Sequence, residues 1–433
     1  MNGDMLVDER LDERIHRVVL PSGLRVSVLP RPGFTKTYAT FATHYGSIDN
    51  AFKIPGENRA VEVPDGIAHF LEHKMFEKAD GGDVFDDFGR YGASSNAYTD
   101  YTTTTFLFST TEHVTENLEI LLDFVQRPYF TTENVDKEKG IIEQEIRMYL
   151  DMPGDRLHSH LMQALYHKNP VRIDVAGSVE AIRTITPDDL YLCHQTFYHP
   201  SNMQVFVTGG VEAERVVDQI VENQWKKPQT SQPPIERIYP DEPPGVNQPR
   251  IASEMPVAAP LFMMGYKDDR TGLSGADLLR REIVANIMWN ALVGRSSELF
   301  ARLYEQGLIN NRFQAHYSAG LTFGFSSLGG ETPDPDRLEA ELEEALVKLP
   351  LTEKDLERQK RRELGEYVSL FQNLEELAYV YNHLTFRGTN LFELPDAIES
   401  IRLEDVEDFR RRHLRASERA VSVIWPKGQA KAR

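Results

Sequence analysis

Along residues 16–47 apolar and polar positions alternate with the period of a strand rather than a helix. Val18-Val19-Leu20, a Pro-Ser-Gly turn, Leu24 to Leu29 and Thr37 to Tyr45 predict a hairpin followed by a third antiparallel strand. An irregular stretch, Asn50 to Pro64, leads into an amphipathic segment, Asp65 to Lys78. Pro64 and Asp65 suit a helix start there, and Ile67, Phe70, Leu71, Met75 and Phe76 are its packing residues. After a Gly- and Asp-rich turn and a short helix near Val84 to Tyr91, the Thr/Tyr/Phe-rich run Ser94 to Ser109 predicts a strand pair. Helices follow at Thr115–Gln126, Thr132–Leu150, Asp155–His167 and Pro187–Phe197, then a strand Gln204–Thr208 and a helix Ala213–Trp225.

Residues 227–250 break the pattern: seven prolines and no amphipathic period mark a linker between two halves. Beyond it, strands are expected at Ile251–Met255 and Pro260–Tyr266. An apolar helix Ala276–Leu292 and a helix Ser296–Glu305 follow, then strands near Arg312–Gly329 and charged helices Pro335–Leu349 and Glu353–Leu370. The closing segment repeats the end of the first half, since Asp188 to Glu404 and Ser201 to Ser417 are both 216 apart. A helix feeding a strand twice, at one spacing, predicts a duplicated α+β domain. The expected division is 1–226, a linker 227–250, and 251–433.

Composition narrows the function classes. Of 433 residues, 40% are hydrophobic and 27% charged, as in ordinary globular proteins, and the length suits two cores better than one. A net charge of -19 argues against nucleic acid, whose phosphates need a basic surface. The basic clusters Lys360–Arg362 and Arg410–Arg412 lie in polar helical patterns and read as solvated faces. Cys193 is the only cysteine, which rules out an intrachain disulfide and reads as packing. No run of 18 apolar residues and no apolar signal core at the polar N-terminus point to a cytoplasmic protein without a membrane span.

Within the amphipathic segment, His69-Phe70-Leu71-Glu72-His73 places two imidazoles at i and i+4 and a carboxylate at i+3 on one helical face. Two neutral imidazoles one turn apart can share a metal ion, with Glu72 beside them to handle protons. H-x-x-E-H is the inverse of the common zinc-peptidase signature. A catalytic zinc takes three protein ligands. The acidic helix after Thr132 offers Glu133, Glu138, Glu143 and Glu145; at 100° per residue Glu138 and Glu145 share a face, and Glu143 points nearly opposite Glu145. One of the pair could bind metal and the other support a histidine ring. By residue type His158, His160 and His167 are rivals.

Gly66-Ile-Ala-His-Phe-Leu-Glu-His-Lys-Met-Phe-Glu, Gly92-Ala-Ser-Ser-Asn-Ala-Tyr-Thr and Glu138-Lys-Gly-Ile-Ile-Glu-Gln-Glu-Ile resemble, in that order, the insulinase/pitrilysin zinc peptidases. The resemblance is closest to the small bacterial members related to the mitochondrial processing peptidase. It implies two homologous domains, each an antiparallel-rich mixed sheet flanked by helices, together half of a clam-like chamber. It further implies one Zn2+ per chain held by His69, His73 and Glu145. Glu72 is then the general base and Glu138 the support for the site. Asn96 and Ala97 would lie on an edge strand that docks peptide substrates through backbone hydrogen bonds.

One departure stands out. Self-sufficient members carry an arginine and a tyrosine seven residues apart in the second half, beside the scissile carbonyl. Here the arginine position falls on Tyr304, Ile309 to Asn311 occupy the tyrosine region, and Arg302 and Tyr317 are out of register. The resemblance therefore implies a metal-bearing subunit whose partner is a homologous chain lacking H-x-x-E-H, or a second copy of itself. The expected activity is endoproteolysis of unfolded peptides or small proteins. The alternatives are a non-catalytic structural or regulatory subunit and a dedicated peptide-maturation protease.

Overall fold

In the computed structural model, which describes residues 2–429, the alternating segments become the strands of two large sheets. Met1 and 430–433, the outer ends of the two expected domains, lie outside the described residues. The first half contains β1 (Asn2–Asp8), β2 (Glu13–Val19), β3 (Arg25–Pro30), β4 (Thr37–Thr43), β5 (Ala51–Lys53) and β6 (Ala60–Glu62). Helices α1 (Ile67–Lys74) and α2 (Val84–Arg90) precede the hairpin β7 (Ser94–Thr99) and β8 (Thr104–Thr110). Then come α3 (Val114–Phe124), α4 (Thr132–Asp151), α5 (Pro153–Leu165), α6 (Val179–Ile182), α7 (Pro187–Phe197), β9 (Met203–Gly209) and α8 (Ala213–Trp225).

The second half runs β10 (Arg250–Met255), β11 (Leu261–Lys267), α9 (Gly275–Val293), α10 (Glu298–Glu305), β12 (Gln314–Ala319) and β13 (Gly324–Glu331). It closes with α11 (Pro335–Lys348), α12 (Glu353–Leu370), α13 (Leu374–Phe386), α14 (Leu394–Ser400), α15 (Leu403–His413) and β14 (Arg419–Pro426). Capping boxes start three of the long helices, Thr131 with Asn134, Thr186 with Asp189 and Thr352 with Asp355. Each satisfies backbone N–H groups that would otherwise lack a partner, an effect of about 1 kcal/mol.

The duplication is visible in strand order. The first sheet reads β1-β2-β3-β9-β4-β8-β7 and the second β10-β14-β11-β13-β12, so β3-β9-β4-β8-β7 repeats strand for strand. In both, one parallel pair (Val26 opposite Val205, Ala252 opposite Val423) sits among antiparallel ones. The α+β class and the paired mixed sheets are as expected. Only the first sheet carries the extra hairpin β1–β2. Neither β1 nor the three-residue strands β5 and β6 was anticipated: the segment of β1 is mostly polar and exposed, and three residues are too few to show a period.

Helix α13 was also missed, and it matters for assembly. Although it belongs to the second half, it packs on the first sheet: Tyr381 stacks on Phe206 at 4.1 Å and donates to Ser27 Oγ at 2.7 Å. Its Asn382 accepts from Gln204 at 2.6 Å and donates to Thr40 at 3.0 Å. Helix α5 crosses the other way, onto β10, β11 and β14. There Leu161 lies so close to Gly265 that a Cβ at that position would come within 2.9 Å of its methyl groups. Each half thus lends a helix to the other's sheet. The expected linker is no free tether either. Tyr239 and Arg237 grip Asp49 at 2.6 and 2.9 Å, and Glu242 accepts the backbone amides of His167, Lys168 and Asn169 within 2.8 Å.

Candidate active site

Helix α1 begins one residue later than the sequence suggests. Gly66, at φ 86°, is its first cap, while Asp65 turns aside to accept from Asn50 at 2.6 Å. The left-handed backbone is needed because the chain meets itself here: a Cβ on Gly66 would sit 2.3 Å from the Ala176 carbonyl oxygen, and one on Gly177 2.5 Å from that of Asp65. This contact fixes where α1 starts, three residues ahead of His69. Ile67, Phe70 and Leu71 then bury one face of the helix in the first-half core, which turns His69 and His73 towards α4.

On α4 the shared face of Glu138 and Glu145 meets those histidines. His69 Nε2 and His73 Nε2 lie 3.8 and 3.5 Å from the two oxygens of Glu145, and single donor atoms of the three residues all fall within 4.8 Å of one another. His73 Nδ1 faces Glu138 Oε1 at 3.1 Å, leaving Nε2 as the atom turned to Glu145. The far oxygen of Glu138 is 3.9 Å from the buried Lys74 ammonium, so the carboxylate bridges the His73 ring and a cation. Tyr149, one turn beyond Glu145, donates to it at 2.7 Å. Glu143 points away, as expected, and pairs with Arg147 and Arg183. His158 contacts Tyr101, and neither it nor His160 or His167 joins the triad.

Burial pushes the His69 ring down to about 4, with the nearby His73 adding to the effect, so the ring is neutral near neutral pH and one nitrogen keeps a free lone pair. For His73 burial acts in the same downward direction but loses to the Glu138 hydrogen bond and the surrounding carboxylates, and its pKa rises. Two imidazoles and a carboxylate with converging donor atoms are the set that suits zinc in a catalytic site, and the residues present fit it.

Glu72 is 7% exposed beside the triad. Burial pushes its carboxyl up to about 7, against the pull of the Thr99 hydroxyl that donates to Oε2 at 2.6 Å. Such a group can take up and return a proton near neutrality. Thr99 ends β7, the last strand of the sheet, whose outer side pairs with nothing among the described residues. Asn96 and Ala97 lie along this edge. The Asn96 side-chain Oδ1 accepts from the Ala97 amide at 2.9 Å. Sequence reasoning missed Thr99, Lys74 and Tyr149. Of these only Tyr149, four residues after Glu145 on one helix, left a readable signal. The out-of-register pair is engaged elsewhere: Arg302 faces Glu341 at 3.5 Å, and the Tyr317 hydroxyl donates to Asp268.

Replacing Glu138 with alanine removes the group that orients His73. Zinc affinity should fall about 10- to 100-fold with the fold intact, checked by competition against a chromophoric chelator. An unchanged affinity would show that the helix packing orients the ring unaided.

Comparison with known proteins agrees with this geometry. Residues 59–178 match the family described as Insulinase (Peptidase family M16), and residues 184–363 match the Peptidase M16 inactive domain. The chain is 44% identical over 421 residues to the uncharacterized zinc protease YmfH of Bacillus subtilis (strain 168), covering 97% of this chain and 98% of that protein. A crystal structure of a putative M16-like peptidase from Alicyclobacillus acidocaldarius is similar at a TM-score of 0.93 and 38% identity, over 96% of this chain and 99% of that one. The mitochondrial-processing peptidase subunit beta of Caenorhabditis elegans is 28% identical over 179 residues, 40% of this chain and 36% of that subunit. Among the described residues no helix is long and apolar enough to cross a membrane. With the histidine pair and Glu145 inside the stretch that matches the peptidase model, the chain belongs to the insulinase family of peptidases, family M16.

Proposed function

We propose that the chain is a zinc-dependent endopeptidase for unfolded peptides or small proteins and that it works with a partner chain. The observation that carries this reading is the junction of docking edge and base: β7, open along its outer side, ends on Thr99, and Thr99 holds Glu72 beside the three converging donors. A peptide added to β7 as an extra strand would run its backbone past Glu72. His69, His73 and Glu145 would hold the metal, which supplies a Lewis acid for the scissile carbonyl and the attacking water. Glu72 takes the proton from that water and returns it to the departing amine. Thr99 keeps the carboxylate in one orientation, and Asn96 and Ala97 align the substrate backbone. Docking through main-chain atoms imposes little sequence preference.

The partner requirement follows from what the second half lacks. Tyr304 is exposed with no arginine in its place, and Arg302 and Tyr317 are committed to acidic partners within the chain. A homologous chain without H-x-x-E-H would supply the missing arginine and tyrosine. Hydrolysis of quenched fluorescent peptides by the chain alone should be slow and should rise at least about 100-fold with that partner, the scale of one lost oxyanion donor. Full activity of the chain alone would overturn the partner requirement. No activity from the zinc-loaded pair would overturn the peptidase reading and leave a structural or regulatory subunit.

A further inference from the structure

The three metal donors are not supported alike. His73 Nδ1 is turned by Glu138 at 3.1 Å, whereas His69 Nδ1 is buried and has no hydrogen-bond partner. Glu145 presents its two oxygens to the rings at similar range, Oε1 3.8 Å from His69 Nε2 and Oε2 3.5 Å from His73 Nε2. The triad by itself therefore does not decide how many of these oxygens a metal would take. That number matters for the chemistry. A catalytic site with three protein ligands keeps its fourth position for water, and a carboxylate that used both oxygens would compete for that position.

Tyr149 makes the two oxygens unequal. Its hydroxyl donates to Oε1 at 2.7 Å, and among the described residues no other hydrogen bond reaches this carboxylate. The two residues stand one turn apart on α4, so the contact is set by the helix itself. The ring packs against the first-half core, which leaves the hydroxyl little freedom to follow Glu145 if the carboxylate turns. An O–H donated to a charged oxygen is a strong hydrogen bond, and it engages a lone pair that a cation would otherwise use. Oε2, which accepts no hydrogen bond, remains the better donor. The anchored carboxylate also gives His69 a fixed neighbour, which its own unpartnered Nδ1 does not.

We propose that Tyr149 is a positioning residue that ties down Glu145 Oε1, so that Oε2 alone is offered to the metal and one coordination position stays open for the attacking water. The role differs from that of Glu138. Glu138 orients a ring, whereas the phenol limits how many atoms one ligand contributes. The proposal rests on the peptidase reading only in taking a metal at the triad, and it deepens that reading: Glu72 supplies the base, and Tyr149 preserves the place where its water sits.

The test is Tyr149→Phe in the whole chain, loaded with cobalt(II) because zinc gives no visible spectrum. Phenylalanine keeps the ring and its packing, so the thermal unfolding temperature should stay the same. Cobalt should still bind at one per chain. Its visible absorption, which weakens as a fifth donor enters the coordination sphere, should fall several-fold relative to the unaltered chain as Oε1 joins Oε2. An unchanged spectrum would overturn the proposal, with or without a lower unfolding temperature, since the tyrosine would then do no more than pack. A folded variant that takes up no cobalt would also overturn it, because the hydroxyl would then be needed for binding itself. The spectrum is read without peptide. If the zinc-loaded pair fails to hydrolyse peptides while Tyr149→Phe weakens the cobalt absorption, the peptidase reading falls and the role of Tyr149 stands.

Discussion

Glu72→Gln should abolish peptide hydrolysis while leaving the metal in place. The substitution keeps the size and hydrogen-bonding reach of the side chain, so Thr99 still has an acceptor and α1 is undisturbed. It removes the carboxylate proposed above as the base that takes a proton from water. General-base catalysis contributes roughly 10²- to 10⁴-fold, and kcat/KM should fall by that amount with KM nearly unchanged. Zinc content by elemental analysis should stay at one per chain. A variant that kept wild-type kcat would remove Glu72 from the chemistry and require another base.

The largest structural effect is expected from Gly66→Ala. Alanine in the left-handed region costs about 1–2 kcal/mol by itself. At φ 86° the new methyl would also meet the Ala176 carbonyl at 2.3 Å, and that neighbour is backbone, so the loop must move. Together these should cost about 3–5 kcal/mol of the roughly 5–15 kcal/mol that holds a domain. Gly56→Ala is the control: its φ of 82° is similar, but nothing lies within 4 Å of the added carbon, so it should cost only the conformational part. Thermal unfolding should therefore shift far more for Gly66→Ala than for Gly56→Ala. Zinc affinity should fall with the first variant alone, because α1 carries both histidines. Equal shifts would mean that the contact with Ala176 relaxes at no cost.

The parts of this site that could be read in the sequence were those written within single helices. His69 with His73, and Glu138 with Glu145, are spaced by the turn of the helix, so periodicity alone showed that each pair shares a face. Which face meets which is decided by packing. The choice of Glu145 as the residue opposite both imidazoles came from resemblance, and in the structure its oxygens are the ones that face both rings. Thr99 was illegible because a hydroxyl at a strand end acquires its role only when β7 folds against α1. Helix α13 was passed over although Leu374, Leu377, Ala378 and Tyr381 mark a buried stripe, because its polar Asn382 and Tyr381 hydroxyl look like surface until their partners on the other half are known.

A proline-rich connector between two like halves usually invites the picture of a hinge. The exchange of α5 and α13 excludes that motion here. Swinging the halves apart would pull Tyr381 off Phe206, strand Asn382 and Gln204 without partners, and draw Leu161 out of its seat on Gly265. The two sheets are buttoned together from both sides. Any opening that exposes the proposed site would therefore have to come from something other than this chain bending in its middle.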